Sequence, residues 1–368
     1  IIPIVISPLL TRIYTPEYFG IYTVFTSLII FLLIISTLRY EMAIILPKKN
    51  EDALSLVVAS LIISLFLTII TFSLLLIYGD YLSLLNETKY LKFVAPILVI
   101  FFAFSQVMFY WFSRQKDYSM INRARLGGSI GMNATQLALG FISLGTIGLI
   151  IGYFLNYFLQ FLIYLKRFLR LNFKIISKDN IILNLKKYKK FPMINFPHAI
   201  VDSINQQGII FIGVYFFGAS FVGQYGLMMR VLKAPVSIIG TTIGQVFYQS
   251  ISEVYNKTGD ISKQIKKMLF SLSAISLVPS ILLFILAPDL FAFIFGEAWR
   301  EAGNYSRLLM PYIYFHFITS PLSMVPLVVN KQGTFFLLSA FSNILFISLF
   351  FIGGYFNDIK ITFKLISI

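Results

Sequence analysis

The chain contains no cysteine and little charge of either sign. Without cysteine it has no disulfide framework, no thiolate metal site and no cysteine nucleophile. Charged residues make up 12% of its 368 residues, against about 25% in soluble domains. The sequence also lacks a G-x-x-x-x-G-K-[ST] phosphate-binding loop, a metal-ligand cluster and a hydrolase triad. These absences argue against direct ATP-driven transport and against an enzyme, so we expect no catalytic residue, no metal and no cofactor.

Hydrophobic residues make up 58% of the chain, and 39 Phe and 21 Tyr contribute much of this excess. A soluble protein of this length could not bury so many apolar side chains, whereas a bilayer removes the need to do so. A spanning helix needs about 20 apolar residues. Segments of about this length lie at 19–38, 54–78, 93–112, 126–144, 147–165, 194–217, 226–250, 269–288, 308–329 and 333–352. The sequence therefore predicts an all-α polytopic membrane protein.

Shorter apolar runs stand at both ends of the sequence, at 1–10 and 359–368. Each covers about half a bilayer as a helix, so we expect both to be truncated spans of a protein with about twelve. If the spans alternate in direction, the loops of one side hold 21 Lys and Arg, and those of the other side hold 7. Because positive loops stay cytoplasmic, we expect both termini in the cytoplasm. The net charge of +15 thus reflects membrane topology and does not indicate nucleic acid binding.

A basic segment at 166–193 divides the chain into an N-terminal half, 1–165, and a C-terminal half, 194–368. We expect this segment to be a cytoplasmic linker that also contacts anionic lipid. Each half then contains six of the predicted helices, counting the truncated spans.

The two halves show weak internal similarity. YFGIY at 18–22 resembles FVGQY at 221–225, and GDYLSLL at 79–85 resembles PDLFAFI at 288–294. The matches occur in the same order in both halves. This indicates a parallel repeat of two six-helix bundles, an architecture that alternating-access transporters use.

Polar residues form stripes along several of the apolar segments. Residues at helical spacing share one face, and a polar face of a spanning helix contacts another helix or a water-filled cavity. For Ser, Thr and Asn, hydrogen bonding between helices is the simpler explanation. The alternative is a cavity lining, for which the candidates are Gln106, Tyr110, Asn133, Gln136, Asn195, Asn205, Gln206, Ser237, Thr241 and His316.

Charged residues within the segments 194–217 and 226–250 need a specific explanation. Arg230 and Lys233 are one helical turn apart, so they repel each other unless water, a carboxylate or an anionic ligand compensates. Asp202 is either a structural partner of one of these cations or a cavity residue. His198, one turn before Asp202, is either a satisfied hydrogen-bonding residue or a proton acceptor near neutral pH. If a ligand compensates the cations, it is anionic, and the planar fork of Arg suits phosphate oxygens.

The segments LTRIYTPEYFG at 10–20 and RYEMAIILPKK at 39–49 resemble the start of bacterial polysaccharide flippases of the Wzx type. These belong to the multidrug/oligosaccharidyl-lipid/polysaccharide exporter superfamily. Weaker similarity at 225–253, 295–309 and 320–325 extends the resemblance over nearly the whole chain. The resemblance implies two six-helix bundles around a central cavity. It also implies transport of undecaprenyl-diphosphate-linked oligosaccharides from the inner to the outer leaflet of the bacterial cytoplasmic membrane.

The resemblance further implies that four cations of the cavity bind the substrate: Arg12, Arg39, Arg230 and Lys233. Glu41 would lie near the inner gate. Asp202 and His198 are not carried over from the family, and we expect from their own stripe that they couple transport to H⁺ or Na⁺. Membrane lipid and a polysaccharide polymerase complex are the further partners that we expect.

Three other classes of protein remain open. A cation-coupled multidrug exporter of the same superfamily would favour an acidic cavity, whereas this chain has one deep acid against two deep cations. A channel would show steady conductance in a planar bilayer, which separates it from a transporter or a scaffold. A membrane polymerase or ligase usually carries a long structured outer loop, and no such loop is predicted.

Overall fold

The computed structural model describes residues 2–78, 91–173, 176–329 and 331–367, and within these ranges the regular structure is helical throughout. Short 3₁₀ helices lie at Tyr40–Ile45, Glu297–Trp299 and Ser320–Met324, and a π-helix lies at Phe191–Asn195. The α-helices are α1 Ile2–Ile13, α2 Pro16–Thr37, α3 Asn50–Tyr78, α4 Leu91–Arg114, α5 Tyr118–Phe141, α6 Thr146–Phe168, α7 Lys178–Lys187, α8 Phe196–Thr258, α9 Ser262–Phe295, α10 Arg300–Thr319, α11 Val325–Val328, α12 Gln332–Tyr355 and α13 Ile359–Ser367.

Seven stretches of helix among the described residues are long and apolar enough to cross a membrane. They are Pro16–Thr37, Asn50–Ile77, Lys92–Arg114, Thr146–Phe168, Phe191–Ala234, Ser262–Phe295 and Gly333–Tyr355. This confirms the prediction of an all-α polytopic membrane protein. The helices α5 and α10, which carry more polar residues, are not among the seven, so the predicted total of about twelve spans stays a prediction.

One predicted break between helices is confirmed, and one predicted helix is wrong. The break expected at 218–225 lies at Gly218, where a kink divides α8 into two helices, although residues 219–225 are helical. The φ of 82° at Gly218 is one that a residue without Cβ adopts readily. The segment 308–329 was expected to be one helix. It breaks into α10, a 3₁₀ helix at Ser320–Met324 and α11. Pro321 and Pro326 account for the break, because proline has no N–H for an α-helical hydrogen bond.

The chain forms two compact units. Unit one consists of Ile1–Ile6 and Ile21–Phe211, and unit two consists of Ser7–Gly20 and Ile212–Ile368. The units differ from the sequence-based halves, because residues 7–20 pack with the C-terminal part of the chain and residues 194–211 pack with the N-terminal part. The organisation as two six-helix bundles around a cavity stays a prediction.

In unit one, the basic segment at 166–193 contains the helix α7, which packs against α3. The buried Asn184 of α7 donates from Nδ2 to Oδ1 of Asp52 at 3.2 Å and to Oγ of Ser55 at 3.0 Å. The hydroxyl of Tyr40 donates to the carbonyl of Leu185 at 3.1 Å. A segment that the sequence indicated as a linker is therefore folded onto the end of unit one that contains the 3₁₀ helix Tyr40–Ile45.

In unit two, residues 7–20 cross α8 at two glycines. A Cβ on Gly20 would lie 1.8 Å from the carbonyl oxygen of Ala219, and a Cβ on Gly223 would lie 1.8 Å from that of Pro16. The helices thus approach so closely that only glycine fits at either position. The two contacts are equivalent under an offset of 203 residues, because Gly223 follows Gly20 by 203 positions and Ala219 follows Pro16 by 203 positions. The same offset relates YFGIY to FVGQY. The crossing therefore supports the internal repeat.

Candidate functional site

Arg230 and Lys233 lie one turn apart on α8, near the end of the candidate span Phe191–Ala234. Arg230 is half-buried and Lys233 is exposed. Within the described part of the chain, neither side chain has an ion-pair or hydrogen-bond partner. The structural alternative, in which a carboxylate neutralises one of them, therefore has no contact to support it.

Residues of α10 lie beside this pair. His316 is close enough to Lys233 for an electrostatic interaction, and the ring of Tyr312 stacks on that of His316 with centroids 5.8 Å apart. Polar residues of the segment 308–329 thus lie near Lys233 of the segment 226–250 in unit two. We call Tyr312, His316, Arg230 and Lys233 the basic patch of unit two. The charges of Arg230 and Lys233 favour anions at this patch.

Ser237 and Thr241 continue the stripe of Arg230 and Lys233 along α8. Their side chains fall outside the described residues, so their expected place in a cavity lining stays a prediction.

Arg12 does not join the basic patch through any contact of the described residues. Its exposed side chain donates from Nη2 to the carbonyl of Phe293 at 3.2 Å, in the last turn of α9. The carbonyls at a helix C-terminus attract a cation, which gives Arg12 a structural role at the end of α9. Its contact with a substrate stays a prediction.

The polar stripe at the start of α8 belongs to unit one and is largely exposed. Nδ1 of His198 lies 3.1 Å from Oδ2 of Asp202, and the two side chains are 58% and 51% exposed. Asp202 is thus paired with a histidine of its own helix, one turn away. Asn195 and Gln206 are exposed as well, and Asn205 is half-buried.

A second charged cluster forms in unit one, at the 3₁₀ helix Tyr40–Ile45. Nη1 of Arg39 lies 3.8 Å from Oε1 of Glu41, and the Glu41 side chain is 2% exposed. Burial raises the pKa of Glu41 above the usual 4.5. Tyr110, on α4, interacts electrostatically with both residues. Gln106, one turn earlier on α4, is half-buried.

Two arginines near this cluster were not predicted as site residues. The guanidinium of Arg125 lies over the ring of Phe109, 4.3 Å from its centroid, and it interacts with Tyr110. Arg114 donates to the carbonyls of residues 45, 47 and 48 and to the side chain of Asn50. Arg114 therefore fixes the loop after the 3₁₀ helix, whereas Arg125 adds an exposed cation to the cluster.

Asn133 and Gln136 are buried between helices. Asn133 donates from Nδ2 to the carbonyl of Ser129 in α5, and Gln136 donates from Nε2 to the carbonyl of Leu149 at 3.0 Å. These contacts fit hydrogen bonding within and between helices, and the cavity lining expected for these two residues stays a prediction. Their stripe follows the contact between α5 and α6, where the nearby Gly152 lets the helices approach closely.

The fold and these clusters define a polytopic α-helical membrane protein whose spanning helix α8 carries two cations without a partner among the described residues. A family model described as "Polysaccharide biosynthesis protein" matches residues 9–304, and the chain belongs to this family. This membership agrees with the resemblance of residues 10–20 and 39–49 to Wzx-type polysaccharide flippases. No curated protein and no solved structure matches the chain.

Proposed function

We propose that this protein is a flippase that moves undecaprenyl-diphosphate-linked oligosaccharide units from the inner to the outer leaflet of the bacterial cytoplasmic membrane. Two observations support the proposal. The chain belongs to a polysaccharide biosynthesis family, and Arg230 and Lys233 lack partners within the described residues of a candidate spanning helix. The second observation carries the most weight, because a charge within a membrane helix is costly and is retained for function.

The cargo explains why these cations are needed. A diphosphate joined to several sugars is large, hydrated and anionic, so its transfer into hydrocarbon would remove its hydration at high cost. A water-filled cavity with cationic walls replaces that hydration. Arg230 offers a planar fork for two phosphate oxygens, and Lys233 offers a mobile point charge. The lipid tail remains in the bilayer during transfer.

The transport cycle would follow from the internal repeat. Two related helix bundles that rock against each other expose a site first to one side of the membrane and then to the other. Arg12 and Arg39 would contact the cargo along this path. Coupling to H⁺ or Na⁺ would supply the driving force, with Asp202, His198 and Glu41 as the candidate coupling groups. No covalent step is required.

The alanine variants Arg230→Ala and Lys233→Ala test this function. Each is expected to abolish surface polysaccharide while protein abundance in the membrane stays near the wild-type level. The reason is that either change removes a proposed phosphate contact from two cations that have no partner among the described residues. Surface polysaccharide is measured by immunoblot, and abundance is measured on the same membranes.

Lys263→Ala is the matched control, because Lys263 is an exposed cation of unit two at the start of α9. This variant should leave surface polysaccharide unchanged. Deletion of the gene should in addition cause a lipid-linked glycan to accumulate inside the cell. Normal surface polysaccharide in both alanine variants would contradict the proposal, and loss of efflux of cationic dyes in the deletion strain would instead favour a multidrug exporter.

A further inference from the structure

Among the described residues, Glu41 is the one charged residue that is buried. Its Oε2 atom has no hydrogen-bond partner, and neither has the buried Nε of Arg39. An ionised carboxylate in such a place is costly unless it is paired and hydrogen-bonded. The closest approach of Arg39, 3.8 Å, is longer than a hydrogen bond. The geometry therefore favours a protonated Glu41 in this conformation.

The other described groups around Glu41 do not provide a second cation beside its carboxyl. Besides Arg39, the Thr37 hydroxyl and the backbone of Glu41 itself interact with the carboxyl. Tyr110 of α4 adds an electrostatic interaction, and the exposed Arg125 of α5 acts on Tyr110. On the neighbouring ends of α3 and α4, Asp52 accepts from Asn184, and Arg114 donates to the carbonyls of residues 45, 47 and 48. Glu51, also in the first turn of α3, is exposed. One cation thus stands beside one buried acid.

The backbone holds Arg39 and Glu41 in this arrangement. Leu38 and Arg39 have φ values of 49° and 64°, two consecutive left-handed residues that are not glycine. Such residues are disfavoured relative to the right-handed conformation. Strain of this kind persists where the surrounding structure fixes it, and it concentrates at functional sites. The turn directs Glu41 into the core and leaves Arg39 partly exposed, at 28%.

We propose that Glu41 is a proton-binding site that controls the affinity of Arg39 for an anionic phosphate group. When Glu41 is protonated, the charge of Arg39 is not balanced and is available to a phosphate. When Glu41 is ionised, it pairs with Arg39 and repels the phosphate. Proton and phosphate therefore bind together, and by reciprocity each raises the affinity for the other. The identification of the phosphate as that of a lipid-linked cargo depends on the proposed function, but the proton site does not.

Infrared spectroscopy of the purified protein detects the proton directly. The wild type should show the C=O band of a protonated carboxyl at pH values above the usual Glu pKa of 4.5. Glu41→Gln should lack this band. Glu51→Gln should retain it, because Glu51 is an exposed glutamate of the same unit. A spectrum in which Glu41→Gln leaves the acid band unchanged would overturn the proposal.

A second variant keeps the test decisive if Glu41→Gln does not fold. Arg39→Gln removes the nearest cation, which lowers the pKa of Glu41 in the wild type. The acid band should therefore persist to higher pH in Arg39→Gln than in the wild type. An identical titration in the two proteins would show that Arg39 and Glu41 are not coupled, and the proposal would fail.

Inorganic pyrophosphate serves as the probe for the anion site. Calorimetric titration at a series of pH values should show that wild-type affinity falls relative to Glu41→Gln as the pH rises, by at most about tenfold per pH unit. Protonation of pyrophosphate itself does not change the affinity ratio, because the two proteins are compared at the same pH. A constant affinity ratio would overturn the coupling. Absence of pyrophosphate binding to both proteins would also overturn it. If the affinity ratio changes with pH but the protein shows no flippase activity, the result counts against the proposed function alone.

Discussion

The described ionisable side chains include exposed ones, which contact water, and the buried Glu41, which does not. Arg300, for example, forms a 2.5 Å ion pair with Asp289, but both side chains are well exposed and such pairs contribute little to stability. Glu41 is buried without a hydrogen bond to Oε2, so its protonation state is tied to the folded structure. A single residue can in this way make folding depend on pH.

Replacement of Glu41 by Gln should make unfolding less sensitive to pH. Burial raises the pKa of Glu41 in the folded state, so the folded protein keeps a proton that the unfolded chain releases above about pH 4.5. Stability of the wild type therefore falls as the pH rises from that value to the raised pKa, and is constant beyond it. The loss is about 1.4 kcal/mol for each unit by which the two pKa values differ.

Thermal unfolding in detergent, followed from about pH 4 to about pH 8, measures this dependence. The melting temperature of Glu41→Gln should rise relative to that of the wild type over this range. Two curves that stay parallel would show that Glu41 has an ordinary pKa in the folded protein.

The crossing of residues 7–20 over α8 is a close contact between helices in unit two. It depends on the absence of side chains at Gly20 and Gly223, where an added Cβ would meet a backbone carbonyl. Backbone atoms cannot move aside as the end of a flexible side chain can. The crossing is therefore specified by two glycines, one in each copy of the repeated motif.

Gly223→Ala should destabilise the protein by about 1–3 kcal/mol, the usual cost of overpacking. Gly333→Ala is the matched control, because a Cβ at Gly333 in α12 meets no atom within 4 Å. That change should be neutral or stabilise by up to about 1 kcal/mol, since alanine favours a helix over glycine. Thermal unfolding compares the two variants, and equal melting temperatures would contradict the tight crossing.

The length of each apolar run predicted the spanning helices well, because that length is set by the bilayer and needs no tertiary information. The helix α7 was not predicted, since it is stabilised by contacts with α3 that lie far away in the sequence, such as that of Asn184 with Ser55. The docking of residues 7–20 in unit two was not predicted for the same reason.

The candidate site was predicted in part. The spacing of Arg230 and Lys233 places both on one face of α8, and helical periodicity is sufficient to show this. The burial of Glu41 depends on how α3 and α4 pack over its 3₁₀ helix, which the residues around it do not reveal. The sequence does not decide between two roles for Asn133 and Gln136, because a stripe between two helices and a stripe on a cavity have the same spacing.

The molecule as a whole combines a strong positive charge with a strongly apolar sequence. Its net charge is +15, and 58% of its residues are hydrophobic. Loop cations account for most of that charge and suit a membrane protein with a basic cytoplasmic side. Arg230 and Lys233 are different, because they stand within a candidate span and topology does not explain them. The proposed role of these two cations therefore depends on whether they contact water and an anion.

Cysteine accessibility tests this claim directly, because the chain contains no cysteine of its own. Arg230→Cys and Lys233→Cys are treated with a charged methanethiosulfonate that does not cross membranes, with and without inorganic pyrophosphate. Lys263→Cys serves as the exposed reference, and Val278→Cys, an exposed apolar position on the spanning helix α9, serves as the lipid-facing reference.

The account predicts that both cysteines react at rates near that of Lys263→Cys. Pyrophosphate should slow the reaction at each position, because each variant keeps the other cation of the pair. Reaction rates as low as that of Val278→Cys at both positions would contradict the account.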